Sequence, residues 1–333
     1  MNHSESSPTI EYRTLVDILR VRAQHRPHQR AYTFLLDGEG EEAHLTYGEL
    51  DQLARSIAAC LQQRGIRGES ATAPASRVLL LYPPGLDFIA AFFGCLYAGA
   101  VAVPTYPPHR KRPSPRLQAI VEDSQPVLVL SDAAIQTQVE HHPTRDGLNG
   151  VAWLVTDAVD SAEASNWRET SASNDSLAYL QYTSGSTTSP KGVMLTHRNL
   201  LHNLAFIQQG FGITTSSQGV IWLPPYHDMG FIGGILEPLY AGFPVTLMSP
   251  TAFLQKPVRW LQAISDYKGT ISGGPNFAYE LCLEKITPQE RATLDLSSWE
   301  VAFNGAEPVR DETLTRFTKA FAPSGFRREA FYP

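Results

Sequence analysis

The chain reads Arg77-Val78-Leu79-Leu80-Leu81-Tyr82 at the start of its clearest structural pattern. A near-continuous apolar run of this length is typical of a strand that is buried on both faces of a sheet. Residues 86–98 then have the periodicity of a buried helix that stops at Gly99, and Val101-Ala102-Val103 has the composition of a further strand. Strand, helix and strand in this order favour an α/β fold with parallel strands.

A helix start of the capping-box type lies upstream of this unit. Thr46 and Glu49 have the Thr-x-x-Glu spacing, and apolar residues follow at helical intervals until Gly65. Beyond the unit, strands are predicted at 127–131, 151–156, 177–182, 193–196, 220–223, 245–248, 270–272 and 300–304, and helices at 198–206, 231–240, 257–267, 276–283 and 310–321. This alternation predicts an α/β protein with two mainly parallel sheets. We expect a boundary between an N-terminal part, 1–176, and a second part, 177–333.

The composition narrows the class of protein. A length of 333 residues with 43% hydrophobic residues allows about two domains and a large core. Asp and Glu outnumber Lys and Arg by 33 to 27, which argues against non-specific binding of nucleic acid or anionic membranes. No apolar run reaches the roughly 18 residues of a membrane span. The three cysteines have no CxxC spacing and the N-terminus has no signal pattern, so we expect a cytoplasmic enzyme.

The most informative segment for chemistry is Tyr182-Thr183-Ser184-Gly185-Ser186-Thr187-Thr188-Ser189-Pro190-Lys191-Gly192-Val193, between two predicted strands. Hydroxyl groups and backbone N–H groups donate to phosphate oxygens, glycine lets the backbone approach, and lysine adds a positive charge. A flexible linker is the alternative, but linkers do not lie between two apolar strands. The segment is not a Walker A loop, because Pro190 stands at the second glycine position and Gly192 follows the lysine.

This loop resembles the Thr-Ser-Gly-Ser-Thr-x-x-Pro-Lys-Gly signature of the adenylate-forming superfamily. In that family the loop holds the β- and γ-phosphates of ATP and moves as pyrophosphate departs. Thr188 stands where the commonest version of the signature has glycine. The resemblance also implies the fold of that superfamily, with two stacked, mainly parallel sheets in αβαβα layers.

Four further segments, in the family's order, resemble those of fatty acyl-AMP ligases. They are 223–230 with its His-Asp-Met-Gly sequence, 250–261, 272–282, and 304–309, which is similar to the family's adenine-binding strand end. Amino-acid-activating domains place an aspartate near Phe277 to meet the substrate amine. Here that neighbourhood is Asn276-Phe277-Ala278-Tyr279, which suits an uncharged chain.

The resemblance implies roles for individual residues. The residues concerned are Lys191 and His227 for catalysis; Thr183, Ser184, Gly185, Ser186, Thr187, Lys191, Gly305, Ala306 and Glu307 for the nucleotide; and His227, Asp228, Met229, Gly274, Phe277 and Tyr279 for the acyl substrate. In the family the histidine lies beside the acyl carboxylate and the α-phosphate. Each role has an alternative: His227 as a buried structural histidine, and the two aromatic residues, like Trp260, as plain core.

Residues 141–147 contain a second motif, His-His-x-x-x-Asp-Gly, which is that of condensation-type acyltransferases. Three of its seven positions are free, and nothing else in the chain resembles that fold. We therefore interpret the segment as a surface loop.

The implied reaction joins a fatty-acid carboxylate to the α-phosphorus of ATP, with Mg²⁺ bridging the phosphates. The acyl group of acyl-AMP then passes to the phosphopantetheine thiol of an acyl carrier protein, in polyketide, lipopeptide or lipid biosynthesis. The family's Tyr-Gly-x-x-Glu-x-Thr motif, whose Glu supports Mg²⁺, would follow Pro333, and a β-barrel subdomain and a lysine-bearing lid would follow the motif. We therefore expect the N-terminal part of a medium- or long-chain fatty acyl-AMP ligase, nearly inactive alone.

Three other functions remain open at this stage. A long-chain acyl-CoA synthetase shares the loop and would transfer the acyl group to coenzyme A. An amino-acid adenylation domain would activate an amino acid. A non-catalytic module would bind adenylates without turnover.

Overall fold

The computed structural model describes residues 12–108, 114–141, 147–183 and 190–333. The helices are α1 (Leu15–His25), α2 (Tyr47–Gln63), α3 (Leu86–Tyr97), α4 (Pro115–Ser124), α5 (Ala133–Glu140), α6 (His197–Phe211), α7 (Glu237–Ala241), α8 (Pro250–Gln255), α9 (Val258–Asp266), α10 (Asn276–Lys285), α11 (Pro288–Arg291) and α12 (Asp311–Phe321). The strands are β1 (Arg30–Leu35), β2 (Glu42–Thr46), β3 (Arg77–Leu81), β4 (Val101–Thr105), β5 (Leu128–Ser131), β6 (Ala152–Val155), β7 (Leu177–Thr183), β8 (Lys191–Thr196), β9 (Gly219–Ile221), β10 (Val245–Met248), β11 (Ile271–Gly274), β12 (Val301–Asn304) and β13 (Phe331–Tyr332). A π-helix, Met229–Leu236, precedes α7.

The strands form two sheets. One has seven strands in the order β13-β12-β11-β9-β10-β1-β2, and the other has six in the order β6-β5-β3-β4-β7-β8. All pairings are parallel except β1 with β2 and β7 with β8, each of which closes one edge of its sheet. The prediction of an α/β fold with two mainly parallel sheets flanked by helices is confirmed.

Sheet membership does not change at residue 176. Strands β1 and β2 precede that position and belong to the seven-stranded sheet, whereas β7 and β8 follow it and belong to the six-stranded sheet. The chain therefore crosses from one sheet to the other after β2 and again after β8. A domain boundary between 1–176 and 177–333 stays a prediction.

Helix α3 lies between the two sheets. Its residues from Phe88 to Tyr97 are all buried. The ring of Phe92 packs edge-on against Tyr179 of β7, with centroids 5.9 Å apart, and against Phe231 of the π-helix at 4.7 Å. On its other side α3 approaches α2 closely, because a Cβ on Gly94 would lie 2.5 Å from a methyl group of Ile57. Side chains of both sheets thus share one apolar core.

Several boundaries differ from the prediction. Strand β8 begins at Lys191, two residues before the predicted start, so the lysine is itself a strand residue. The single helix predicted at 231–240 is two elements, the π-helix and α7. Helices α1, α4, α5, α8 and α11 and strands β1, β2 and β13 were not predicted. Among the helices of the described ranges, none is both long and apolar enough to cross a membrane.

Candidate active site

A cavity of about 660 Å³ opens at the carboxyl ends of the strands of the seven-stranded sheet. It brings together two predicted segments that lie far apart in the sequence. His227, Asp228 and Met229 follow β9, and Gly305 and Ala306 follow β12. Open α/β sheets bind ligands at this edge, because the loops that leave parallel strands meet there.

One side of the cavity is apolar. The side chains that form it come from α6, from the segments flanking β9 and β10, and from the sheet itself: Ile207, Phe211, Ile213, Phe243, Ile271 and Phe303. Three of them, Ile213, Phe243 and Ile271, are themselves nearly fully buried and form a small separate core. The cavity therefore has a polar mouth at His227 and an apolar interior, as a site for an amphipathic ligand requires.

His227 and Asp228 form an exposed ion pair at the mouth. The imidazole Nδ1 lies 2.7 Å from Asp228 Oδ1, and the two side chains are 53% and 63% exposed. The hydrogen bond to Asp228 raises the pKa of His227 and lowers the pKa of the aspartate. His227 therefore stays protonated to higher pH than an ordinary histidine, and it is not a buried structural residue.

The π-helix is positioned by close backbone packing. A Cβ on Gly230 would lie 2.2 Å from the carbonyl oxygen of Pro224, and one on Gly234 would lie 2.8 Å from Ile221 Cγ2. Asp228 accepts a hydrogen bond from the Met229 N–H at 2.7 Å at the start of the helix. Gly233, by contrast, lines the cavity and has no atom within 4 Å of an added Cβ. π-Helices are rare and frequently lie at functional sites.

The turn after β12 is held against α10. Ala306 has φ +66°, a left-handed conformation that costs a non-glycine residue energy and that persists only where neighbours fix it. The carboxylate of Glu307 accepts a hydrogen bond from the Phe277 N–H at 2.6 Å. The Asn276 side chain accepts from the Arg310 N–H at 3.1 Å. Glu307 thus caps α10 and, unlike its two predecessors, does not line the cavity.

The predicted phosphate loop is framed by two exposed residues. Thr183 ends β7, Lys191 begins β8, and the two are opposite partners in the antiparallel ladder. Ser184, Gly185, Ser186 and Thr187 lie outside the described residues.

Side chains from α4 fix the strand just before this loop. The Arg116 guanidinium donates to the carbonyl oxygen of Tyr182 at 3.1 Å, and the Tyr182 hydroxyl donates to Asp123. Sequence reasoning missed both partners, because α4 was not predicted.

The remaining predicted residues do not line the cavity. Gly274 is buried, and an added Cβ would lie 2.7 Å from the Trp222 ring. Phe277 is 44% exposed and packs edge-on against the same ring. Tyr279 is completely buried, and its hydroxyl donates to the Phe303 carbonyl at 2.8 Å. Tyr279 therefore belongs to the aromatic core, which was the alternative interpretation, and so does Trp260.

Glu237 is a cavity residue that sequence reasoning missed. Its side chain is almost fully buried, and within the described residues neither carboxylate oxygen has a hydrogen-bond partner. Burial raises its pKa to about 9. The signal was present in the sequence, since Glu237 is the one charged residue in the otherwise apolar run from Phe231 to Phe243.

Two expectations concern other chemistry. The His-His-x-x-x-Asp-Gly motif cannot be located, because residues 142–146 lie outside the described ranges. Where the chain is described, no group of three His, Cys, Asp or Glu side chains is arranged to hold a metal ion.

With this geometry established, comparison with known proteins defines the class. The AMP-binding enzyme family matches residues 19–327, and the chain therefore belongs to this family.

Individual relatives show which members of the family the chain resembles. The chain is 48% identical over 328 residues to the medium-chain-fatty-acid–acyl-carrier-protein ligase JamA of Moorena producens, covering 97% of this chain and 54% of that protein. It is 35% identical over 331 residues to the putative fatty-acid–CoA ligase FadD21 of Mycobacterium tuberculosis, covering 96% of this chain and 56% of that protein. The chain thus spans about half the length of the curated relatives it matches.

A solved structure agrees with the sequence relatives. The fatty acyl-adenylate ligase of Legionella pneumophila, crystallised with acyl adenylate and pyrophosphate, superposes with a TM-score of 0.90 at 46% identity, covering 97% of this chain and 55% of that one. The predicted resemblance to fatty acyl-AMP ligases is confirmed.

Proposed function

We propose that the protein activates a medium- or long-chain fatty acid with ATP, forming acyl-AMP and pyrophosphate. The observation that carries the proposal is a cavity in which a protonatable histidine and a glycine-containing strand end meet an apolar interior. A fatty acid has a charged head and an apolar chain, and each alkyl CH₂ that leaves water contributes about 0.8 kcal/mol.

The reaction needs two anions to meet. A carboxylate oxygen bonds to the α-phosphorus, the bond from that phosphorus to the bridging oxygen breaks, and pyrophosphate leaves with the electron pair. With Nδ1 paired to Asp228, the protonated form of His227 keeps its Nε2–H as a charge-assisted donor at the mouth of the cavity, where carboxylate and phosphate repel one another. His227 is the catalytic residue of the proposal within the cavity, and Met229 lines the adjacent wall.

The nucleotide is assigned to the other side of the mouth. Gly305 and Ala306 line it with backbone, and Asn304 Oδ1 is buried there with no partner within the described ranges. That oxygen is an acceptor suited to an amino group such as that of adenine. Thr183, Lys191 and the loop residues between them are assigned to the β- and γ-phosphates, since both framing residues are exposed.

Mg²⁺ belongs to the proposal as an ATP-bound ion. Magnesium in such sites is held largely by substrate phosphates and water, with one or two carboxylates. Of the two carboxylate side chains in the cavity lining, Asp228 is the exposed one. No other protein ligand of Mg²⁺ is proposed. The proposed roles of the side chains do not depend on the ion.

The acceptor in the second step is proposed to be the phosphopantetheine thiol of an acyl carrier protein. The thiol sulfur would bond to the acyl carbonyl carbon, and AMP would leave. The name of the Moorena relative supports this acceptor, whereas that of the Mycobacterium relative supports coenzyme A as the second candidate. A role in polyketide, lipopeptide or lipid biosynthesis and a cytoplasmic location are part of the same proposal; the three free, buried cysteines suit a reducing compartment.

The proposal is tested by exchange of labelled pyrophosphate into ATP. We propose that the chain alone supports almost no exchange, so the assay uses protein of the relatives' full length: a fatty acid should support exchange and an amino acid should not, and exchange with an amino acid would favour the amino-acid-activating alternative. Calorimetry with a non-hydrolysable acyl-adenylate mimic separates binding from turnover, because a chain that spans half of its relatives can bind without turning over. Binding without exchange by protein of the relatives' full length would support a binding module, and absence of binding by folded protein would overturn the proposal.

A further inference from the structure

Glu237 places a carboxyl group in the buried part of the cavity, where a ligand could supply its hydrogen-bond partner. The residue is 1% exposed, it lines the cavity, and within the described ranges both carboxyl oxygens lack a hydrogen-bond partner. Its backbone N–H donates to the carbonyl oxygen of Ile232, which fixes the residue at the end of the π-helix. A buried polar group without a partner has lost its hydration with nothing to replace it, so such groups are rare in the absence of a function.

The apolar surroundings of Glu237 determine the protonation state of its carboxyl group. Phe243, Ile271 and Ile213 line the same cavity and are almost completely buried. In apolar surroundings the neutral acid is favoured over the carboxylate, and burial raises the pKa of Glu237 accordingly. A neutral carboxylic acid offers one O–H donor and a carbonyl acceptor.

The position of Glu237 along the cavity decides whether a ligand that is held at His227 can reach it. His227 and Asp228 lie at the exposed mouth, whereas Glu237 is buried. From Met229 to Glu237 there are eight helical steps, which at about 1.5 Å per residue is at most ~12 Å. A medium-length acyl chain whose carboxylate lies at His227 is therefore long enough to reach Glu237.

We propose that Glu237 forms a hydrogen bond with an oxygen substituent on the acyl chain, so that the cavity prefers a hydroxy- or oxo-fatty acid to the plain acid of the same length. This inference rests on the proposed function and adds the substrate class. A hydroxyl or carbonyl oxygen satisfies the acid without bringing a charge into the apolar interior. An ammonium group would have to be desolvated there, which is costly.

The test uses calorimetry on the protein with a series of non-hydrolysable decanoyl-adenylate mimics. One mimic carries the plain chain, the others carry a single hydroxyl group that moves along the chain, and one carries a terminal amine. We expect one hydroxylated mimic to bind about tenfold more tightly than the plain mimic, a difference of about 1.4 kcal/mol.

Variants connect the preference to the residue. Glu237→Met should bind the plain mimic at least as well as the native protein and lose the hydroxyl preference. Glu237→Gln keeps a donor and an acceptor and should retain part of the preference. Glu300→Gln changes an exposed carboxylate and should leave all affinities unchanged.

The outcomes separate the two proposals. If the plain mimic binds but no hydroxylated mimic binds better, or if Glu237→Met keeps the preference, the inference is overturned and the adenylation proposal stands. Preference for the amine also overturns the inference. If folded protein binds none of the mimics, the adenylation proposal itself fails.

Discussion

The Nε2 group of Gln181 donates a hydrogen bond to the carbonyl oxygen of Tyr226 at 3.0 Å. Gln181 lies on β7, two residues before Thr183, and Tyr226 immediately precedes His227. The bond therefore joins the strand of the six-stranded sheet that leads into the predicted phosphate loop to the segment of the other sheet that carries the histidine. The Tyr226 hydroxyl donates to the carbonyl oxygen of Tyr82, which ties the same segment to the residue after β3.

Replacing Gln181 tests whether this bond aligns the two halves of the site. Gln181→Ala removes a hydrogen bond worth about 0.5–1.5 kcal/mol, and we expect the affinity for an ATP analogue and a fatty acid bound together to fall about three- to tenfold. Affinity for either ligand alone should change less, because the bond joins the two subsites. Calorimetry with one and with both ligands measures this. The exposed Gln52→Ala is the control, and equal losses in all three titrations would contradict an aligning role.

Lys191→Ala tests the assignment of the phosphate loop. Lysine contributes a point charge to phosphate recognition, so its loss should weaken pyrophosphate binding about tenfold. An acyl-adenylate mimic has no β- or γ-phosphate and should keep its affinity. Lys256→Ala, which removes an ion pair with Glu39 outside the cavity, should affect neither ligand. Equal loss of both ligands in the Lys191 variant would contradict the assignment.

The pH dependence of octanoate binding tests the His227–Asp228 pair. Because Asp228 raises the pKa of His227, the imidazolium persists above its ordinary range, and affinity should be full where octanoate is ionised and His227 is still protonated, and fall as pH rises through the raised pKa of His227. A charge-assisted hydrogen bond contributes about 1.5–3 kcal/mol, so the fall should be about tenfold or more. Asp228→Asn should move the fall to lower pH, and His227→Gln should remove it. A fall that persists unchanged in His227→Gln would assign it to another group.

Structure that depends on residues within one helical turn could be predicted from the sequence. Structure that depends on packing between distant segments could not. Thr46 and Glu49 form the predicted capping box, with Thr46 N–H donating to Glu49 at 2.8 Å, because both partners lie within one turn. The π-helix escaped prediction, since its apolar pattern resembles that of an α-helix. Its distinct geometry accompanies contacts such as Gly230 against Pro224, which depend on the loop after β9.

The same distinction holds within the site. The His-Asp-Met segment and the Gly305-Ala306 turn were identified from their motifs, and the structure brings them into one cavity. From the sequence, Tyr279 could belong either to the core or to the substrate site. In the structure it is completely buried, which depends on the packing of α10 against distant parts of the chain. Glu237 stands out in the sequence as the one charged residue of an apolar run, but the sequence does not tell that its side chain meets the cavity.

Gly233→Leu tests whether the cavity holds the acyl chain. The Cβ position of Gly233 faces open space in the cavity, so a leucine can be accommodated and also favours the helix. We expect acyl-adenylate mimics with long chains to lose about tenfold or more in affinity, while short chains keep theirs. Gly234→Ala is the matched control, because its Cβ would lie 2.8 Å from Ile221 and should destabilise the fold by about 1–3 kcal/mol without dependence on chain length. Loss of long and short chains alike in Gly233→Leu would argue against the assignment.

Glu237 also makes the stability of the fold depend on pH. Its pKa rises from the ordinary value of 4.5 to about 9 in the folded protein. Between those values the folded state holds a proton that the unfolded chain releases, so the free energy of unfolding falls as pH rises through this range. Glu237→Gln has no such proton, and the variant should match the native protein near about pH 5 and exceed its stability by several kcal/mol near about pH 8, since one pKa unit corresponds to about 1.4 kcal/mol.

Urea unfolding of both proteins across this pH range measures the difference. The exposed Glu300→Gln should follow the native curve throughout. If the curves of the native protein and Glu237→Gln run parallel, the carboxyl group is solvated or paired in solution, and the hydrogen-bonding role proposed for it in the cavity loses its physical basis. If they diverge as expected, Glu237 is a neutral acid in the folded protein, and its O–H group is the donor available to an oxygen on the acyl chain.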